Sequence, residues 1–243
     1  MPPTRYAATR RRCDALAAAA AVALAALLFA RPSAAPGSSS HRRDQSGLVW
    51  LEGGGQDAWR VLSRGRECCA FEQRIRGGGG PPLHRHPASV ETFEVLHGMM
   101  AWKVEGAQGQ AAAGQRLVVP AGAAHSFRNA GAPDEELYVR FTVQPCGAAV
   151  SFFENLAGVS ADAGGRGRVP LLQRLLLYSA HGVELAGLPR PLWRVAVALA
   201  APLARAAGFA ASYPAYGSAG GKEEGGGGPA RGDGVLHCAA NAQ

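Results

Sequence analysis

The sequence predicts a mainly β chain with α-helices appended at its C-terminal end. Between residues 48 and 150, short runs alternate apolar and polar positions and are broken by glycine- or proline-containing turns. A period of two is the mark of a strand with one buried face. Beyond residue 150 the apolar spacing changes to that of helices, as in Leu171, Leu172, Leu175 and Leu176. Within the strand-like block lie two clusters of histidine and glutamate.

Residues 1–37 have the plan of a targeting leader: Arg5, Arg10, Arg11 and Arg12 precede an apolar run at 15–30, followed by Arg31-Pro32 and small residues. A secretory signal, a single membrane anchor or an organelle transit segment all fit. The chain is therefore expected to be secreted, membrane-anchored or organellar, with a cytoplasmic location as the alternative. The run is short and alanine-rich for a spanning helix, so any membrane tether would be marginal. Residues 38–47 are polar and read as a linker.

Strands are expected at 48–51, 58–63, 69–76, 99–104, 115–119 and 136–143. The breaks between them are Gly53-Gly54-Gly55, Arg64-Gly65, Gly98, Pro120-Ala121-Gly122 and the turn at 131–134, and Pro145 and Gly147 close the β region at 150. From 151 to 216 the reading is helical: a short helix at 151–158, a second opened by Pro170, and a third at 192–209. The third is apolar almost all round, yet Arg194, Pro202 and Arg205 predict a packed or surface-docked helix rather than a membrane span. Residues 217–243 are glycine-rich and are expected to be disordered. The Arg231-Gly232-Asp233 triplet within them reads as coincidence.

The net charge of +7 comes largely from arginines in the leader and after Arg166. No aromatic-interleaved basic stripe accompanies it, so nucleic-acid binding is not expected. Five cysteines, Cys13, Cys68, Cys69, Cys146 and Cys238, include no C-x-x-C pair. Adjacent Cys68 and Cys69 would point to opposite faces of a strand, so buried free thiols are expected.

The two clusters carry the chemistry. The first runs G-x5-H-x-H-x4-E-x6-G through Gly78, His84, His86, Glu91 and Gly98; the second runs G-x5-P-x-G-x2-H-x3-N through Gly114, Pro120, Gly122, His125 and Asn129. Alternation puts His84 and His86 on one face, and groups Glu91 with Phe93 and Val95, and His125 with Phe127. Three imidazoles and one carboxylate suit a borderline divalent transition metal: Fe, Mn, Ni, Zn or Cu, with nothing in the ligand types to choose among them. No separate cofactor-binding motif and no assignable catalytic residue accompany the ligand set. Gln73, Trp102 and Arg140 could face the same cavity by alternation, or could be structural or outward.

Both clusters resemble the two consensus motifs of the cupin superfamily at every anchor position. The short stretch between Gly98 and Gly114 resembles that of single-domain, microbial-type (type-2-like) cupins, and the helices ending at Tyr213-Pro-Ala-Tyr216 resemble an extension found on some small cupins. The resemblance implies one cupin jelly-roll barrel over 48–150 and a helical extension over 151–216 that covers a sheet face or forms a homodimer contact. It implies that His84, His86, Glu91 and His125 hold one metal ion with positions left for water, dioxygen or substrate. It implies also a small-molecule ligand or substrate, with dioxygenase-type chemistry first. A non-catalytic ligand-binding or sensor role, or isomerase or epimerase chemistry, is the alternative, since one fold hosts many functions.

Overall fold

Twelve short strands and three helices follow from these patterns in a computed structural model, which describes residues 41–43, 49–55, 57–132 and 134–217. The leader read at 1–37, most of the 38–47 linker and all but the first residue of the 217–243 tail lie outside the described residues. The strands before the first cluster are β1 (His41–Arg43), β2 (Val49–Glu52), β3 (Asp57–Arg64) and β4 (Cys69–Arg76). Those carrying the clusters and what lies between are β5 (His84–Arg85), β6 (Val90–His97), β7 (Met99–Val104), β8 (Ala107–Ala112), β9 (Arg116–Val119) and β10 (His125–Asn129). β11 (Glu136–Gln144) ends the β region; α1 (Ala149–Asp162), α2 (Leu171–Ala180), β12 (Glu184–Leu185) and α3 (Arg190–Ala206) follow.

The strands form two antiparallel sheets. One runs β1-β2-β3-β4-β11-β6-β9 and the other β12-β5-β10-β7-β8. The central strands show why the alternation could be read: β6 and β11 bury every second side chain. Phe93, Phe141 and Phe71 pack in a row on the first sheet, with Phe71 and Phe141 stacked at 5.0 Å and Phe93 and Phe141 at 5.4 Å. Phe93 meets Phe127 of the second sheet at 4.9 Å, so the two sheets face one another through aromatic rings.

Glycine is required where two segments touch backbone to backbone. At Gly80, with φ of +151°, a Cβ would sit 2.0 Å from the Phe127 carbonyl oxygen, so only glycine lets this segment lie against β10. Gly98, at φ +80°, turns β6 into β7 hard against Glu136 and Leu137.

The structure corrects several expectations. Cys69 and Cys146 are joined in a disulfide, not held as free thiols, because the end of β11 returns beside the start of β4. The span between Gly98 and Gly114 is a complete hairpin of β7 and β8, and β8 (A-Q-G-Q-A-A) has too few bulky side chains to announce itself. His41–Arg43, inside the span read as a linker, pairs with β2. α1 begins two residues earlier and ends four later than the 151–158 reading. α3 buries Trp193, Ala200 and Ala204 but leaves Leu192, Val195, Leu199 and Leu203 exposed. Among the described residues no helix is long and apolar enough to cross a membrane.

Candidate metal centre

His84 follows Pro81-Pro82 on the two-residue strand β5, and His125 opens β10 directly opposite it in the antiparallel register. His86 lies just past β5, while Glu91 is the second residue of β6 on the other sheet. The four predicted residues therefore arrive from both sheets, and the fold brings them together. One ligand atom from each lies within 4.8 Å of all the others. His84 and His125 rings are 4.2 Å apart, and Glu91 Oε2 lies 2.8 Å from His125 Nε2 and 3.5 Å from His86 Nε2.

Two features fit a metal ion here better than a hydrogen-bonded cluster. His84 Nδ1 lies 2.9 Å from the Pro82 carbonyl oxygen and His125 Nδ1 lies 3.1 Å from that of Ala123. A carbonyl can only accept, so both rings carry the proton on Nδ1 and, when neutral, turn an Nε2 lone pair toward the cluster, the arrangement that orients metal-binding imidazole. Glu91 Oε2 and His125 Nε2 are fully buried and 2.8 Å apart, and with the proton of neutral His125 on Nδ1 neither atom has a hydrogen to offer the other. Such orphaned polar atoms are costly unless something else satisfies them, and a cation at the centre of this donor set would do so.

Electrostatics favour metal-ready protonation at His84, His86 and Glu91, while His125 is pulled the other way. Burial pushes His84 down to about 3, with the neighbouring His125 and His86 adding to the shift, so it is neutral at ordinary pH. Burial also lowers His86. For Glu91 burial alone would raise the pKa, but His86 and His125 beside it hold it down to about 2. His125 is opposed by burial yet raised by its carboxylate neighbour. A carboxylate anion among imidazoles is a centre compatible with a divalent ion.

A free volume of about 30 Å³ adjoins the cluster. Phe93 and Phe127 line it as expected, whereas Val95 is buried in the core and does not. Of the side chains that alternation left open, Gln73 lines this cavity. Trp102 packs over Gly109 and lines a separate outer groove, and Arg140 turns the other way to bond Glu72 at 2.8 Å. His97 is exposed at the end of β6 and takes no part. Sequence reasoning missed the rest of the wall: Trp59 on β3, Phe152 and Phe153 on α1, and Arg166 and Tyr178 beyond it. The Phe152-Phe153 pair is legible only as the apolar face of a short helix, and nothing local says that this face closes over the cluster.

Comparison with known proteins adds three findings. Residues 71–139 match the family described as a cupin domain. Over 124 residues, 48% of this chain, the sequence is 32% identical to the probable oxidoreductase virH of Hypocrea virens; the chain spans 57% of the length of that curated relative. Among solved structures, KdgF from Halomonas sp. aligns with 16% identity and a TM-score of 0.39, covering 42% of this chain and 93% of that one. An RmlC-like cupin from Shewanella frigidimarina aligns with 18% identity and a TM-score of 0.38, covering 44% and 94%. The matched span holds all four converging side chains and the anchor residues around them from Gly78 to Asn129, so the chain carries a cupin-superfamily domain, extended at its C-terminal side by helices.

Proposed function

We propose that this is a metal-binding cupin protein acting on a small molecule, and that its chemistry is oxidative, of dioxygenase type. The observation that carries the reading is the meeting of His84, His86, Glu91 and His125 within 4.8 Å beneath a wall of phenylalanine rings. A bound Fe, Mn, Ni, Zn or Cu ion would supply Lewis acidity and, where the metal allows, electron transfer. The chain's own contributions are distinct. His84 and His125 are held as Nδ1–H tautomers by the Pro82 and Ala123 carbonyls, Glu91 supplies one negative charge, and Phe93, Phe127, Phe141, Phe152 and Phe153 exclude bulk water.

The similarity to a probable oxidoreductase supports redox chemistry over the other reactions open to the fold. Isomerase or epimerase chemistry would need an acid and a base beside the substrate, and His97 is exposed and away from the cavity. A non-catalytic ligand-binding role is the second reading, favoured by the small size of the closed cavity. Elemental analysis of natively purified protein, then oxygen uptake with small phenolic and keto compounds, tests the proposal. About one ion per chain and substrate-dependent oxygen uptake are expected. A ligand-dependent rise in melting temperature with no product across the panel would favour the second reading, and a chain that stays empty when offered transition metals would end both.

The disulfide between Cys69 and Cys146 supports a leader that delivers the chain to an oxidising compartment, because such bonds seldom persist in the cytosol. Secretion or exposure on the outer side of a membrane follows as the proposed location.

A further inference from the structure

Besides Glu91 Oε2, the cavity beside the candidate ligands has two further buried atoms without a partner, and both are donors. Trp59, 1% exposed, lines the cavity, and its indole nitrogen is buried with no hydrogen-bond partner. Arg166 spends one terminal nitrogen on the Gly80 carbonyl at 3.0 Å and the other on Asp57, but its buried Nε is unpartnered. Tyr178, 4% exposed, lines the same space, and its hydroxyl makes no hydrogen bond among the described residues. An indole N–H and a guanidinium N–H can only donate, and the phenol has a proton to give. Buried donors left unmatched are costly, and two of them around one space, with the Tyr178 phenol on the same wall, call for an acceptor. The rest of the wall is aromatic, from Phe93, Phe127 and Phe141 to Phe152 and Phe153.

Charge points the same way. Asp57 and Arg166 form an internal pair, with Gln73 Nε2 3.4 Å from the same carboxylate. With a divalent ion on three neutral imidazoles and the Glu91 anion, the space would carry one net positive charge. The free volume of about 30 Å³ admits no more than a water-sized group. A second cavity of about 300 Å³ adjoins it, and His86, Phe152 and Phe153 line both. Phe152 and Phe153 are thus shared by the two spaces, and a planar ring spanning both would have to take their place.

We infer that the helical extension completes a binding site for a small planar organic anion, whose oxygen takes the hydrogens of Trp59, Arg166 and Tyr178 and whose ring displaces Phe152 and Phe153. This inference rests on the proposed metal-dependent reading and names the substrate class for that same site. Trp59 and Tyr178 select for an oxygen acceptor, and the aromatic wall selects for a flat apolar body.

The test is a titration of the full chain with benzoate, followed by the indole N–H resonances in a nitrogen-edited NMR spectrum. Trp59→Phe identifies the Trp59 signal. Benzyl alcohol and benzylamine are the neutral and cationic controls, and the series is run with and without Co²⁺, whose absorption bands report metal loading independently. Benzoate at millimolar concentration is expected to move the Trp59 resonance and to bind at least about tenfold tighter than either control, the value of one charge-assisted hydrogen bond. Tyr178→Phe, which keeps the packing, and Trp59→Phe, which removes the indole N–H together with part of the buried ring, should each weaken benzoate by about three- to tenfold. A Trp59 signal unmoved by benzoate, equal binding of benzylamine, or both variants binding as well as the parent would overturn the inference. Failure of Co²⁺ to bind sinks the metal reading instead, and the indole response still decides this one.

Discussion

His84 and His125 look at each other across neighbouring strands, and each fixes its tautomer through the carbonyl two residues behind it. The shared device explains why spacing in the sequence could locate the converging rings: the backbone that positions each ring also orients it. It also makes single ligands hard to replace. His125→Ala and Glu91→Gln should each lower metal affinity by at least about 100-fold, since loss of even an orienting partner costs about 10- to 100-fold. Metal content of the purified variants, read against the parent, checks this, and near-normal loading of either would contradict the assigned ligand set. The same residues set a pH response in the metal-free chain. His84 titrates near 3 when folded against 6.5 when unfolded, and His86 is lowered as well, so as pH falls through that window the unfolded chain takes up more protons. Glu91, held near 2 against 4.5, adds the same sign at lower pH, whereas the raised His125 stabilises the fold below 6.5 and loses that contribution as pH rises through its folded value. The melting temperature of the metal-free chain is therefore expected to fall from pH 6.5 toward 3, and His84→Gln to flatten the fall; an unchanged slope in that variant would place the titration elsewhere. At this scale the sequence was readable for the four residues that converge but not for Trp59, Arg166 or Tyr178, because a donor's value here depends on what it is packed against.

α1 ties the helices to the sheets, and its packing is tight enough to test with one methyl group. Gly158 lies under the ring of Tyr216, where an added Cβ would fall 2.2 Å from ring carbons, and the Tyr216 hydroxyl is anchored on Asp162 at 2.5 Å. In a free helix, glycine to alanine gains about 1 kcal/mol. Here the ring must move as a whole, and overpacking of this kind costs about 1–3 kcal/mol. Gly158→Ala should therefore be neutral to destabilising by up to about 2 kcal/mol in denaturant unfolding, and a gain in stability would mean that Tyr216 is free to shift. A second tie lies at the other end of the same region, where the Cys69–Cys146 bond closes a loop of 77 residues just before α1 begins. Replacing both cysteines by serine should remove about 2–4 kcal/mol of stability, read from the shift in denaturation midpoint. Strand and helix positions were largely legible because β4, β6, β7 and β11 carry bulky alternating side chains. β8, the two-residue β5 and β12, and the disulfide were not. The two short strands and the disulfide are made by partners distant in sequence, as when β5 pairs with both β10 and β12, whereas β8 pairs with its neighbour β7 and lacks the bulky side chains that mark a strand.

Two kinds of cohesion coexist in the whole molecule, and they are separable. Phe71, Phe93, Phe141, Ile75, Leu137 and Val139, all at most 1% exposed, form a core between the sheets that owes nothing to the four candidate ligands. Burying side chains of this size stabilises by about 1.5–3 kcal/mol each, and that burial involves no ion. The cluster adds a local strain of a different sort, since Glu91 and His125 keep buried, unpartnered atoms facing each other. A chain built this way should keep its fold when stripped by a chelator and gain stability when an ion returns, unlike small metal domains that unfold without their ion. The gain follows from mass action: about 2.7 kcal/mol at an ion concentration 100 times the dissociation constant. Far-UV circular dichroism of chelated protein is thus expected to retain the β signature, with a melting temperature that rises on adding Co²⁺ or Zn²⁺ and does not rise in Glu91→Gln. Collapse of the spectrum on chelation would mean that the ion holds the sheets together, and would move the candidate centre from chemistry to architecture.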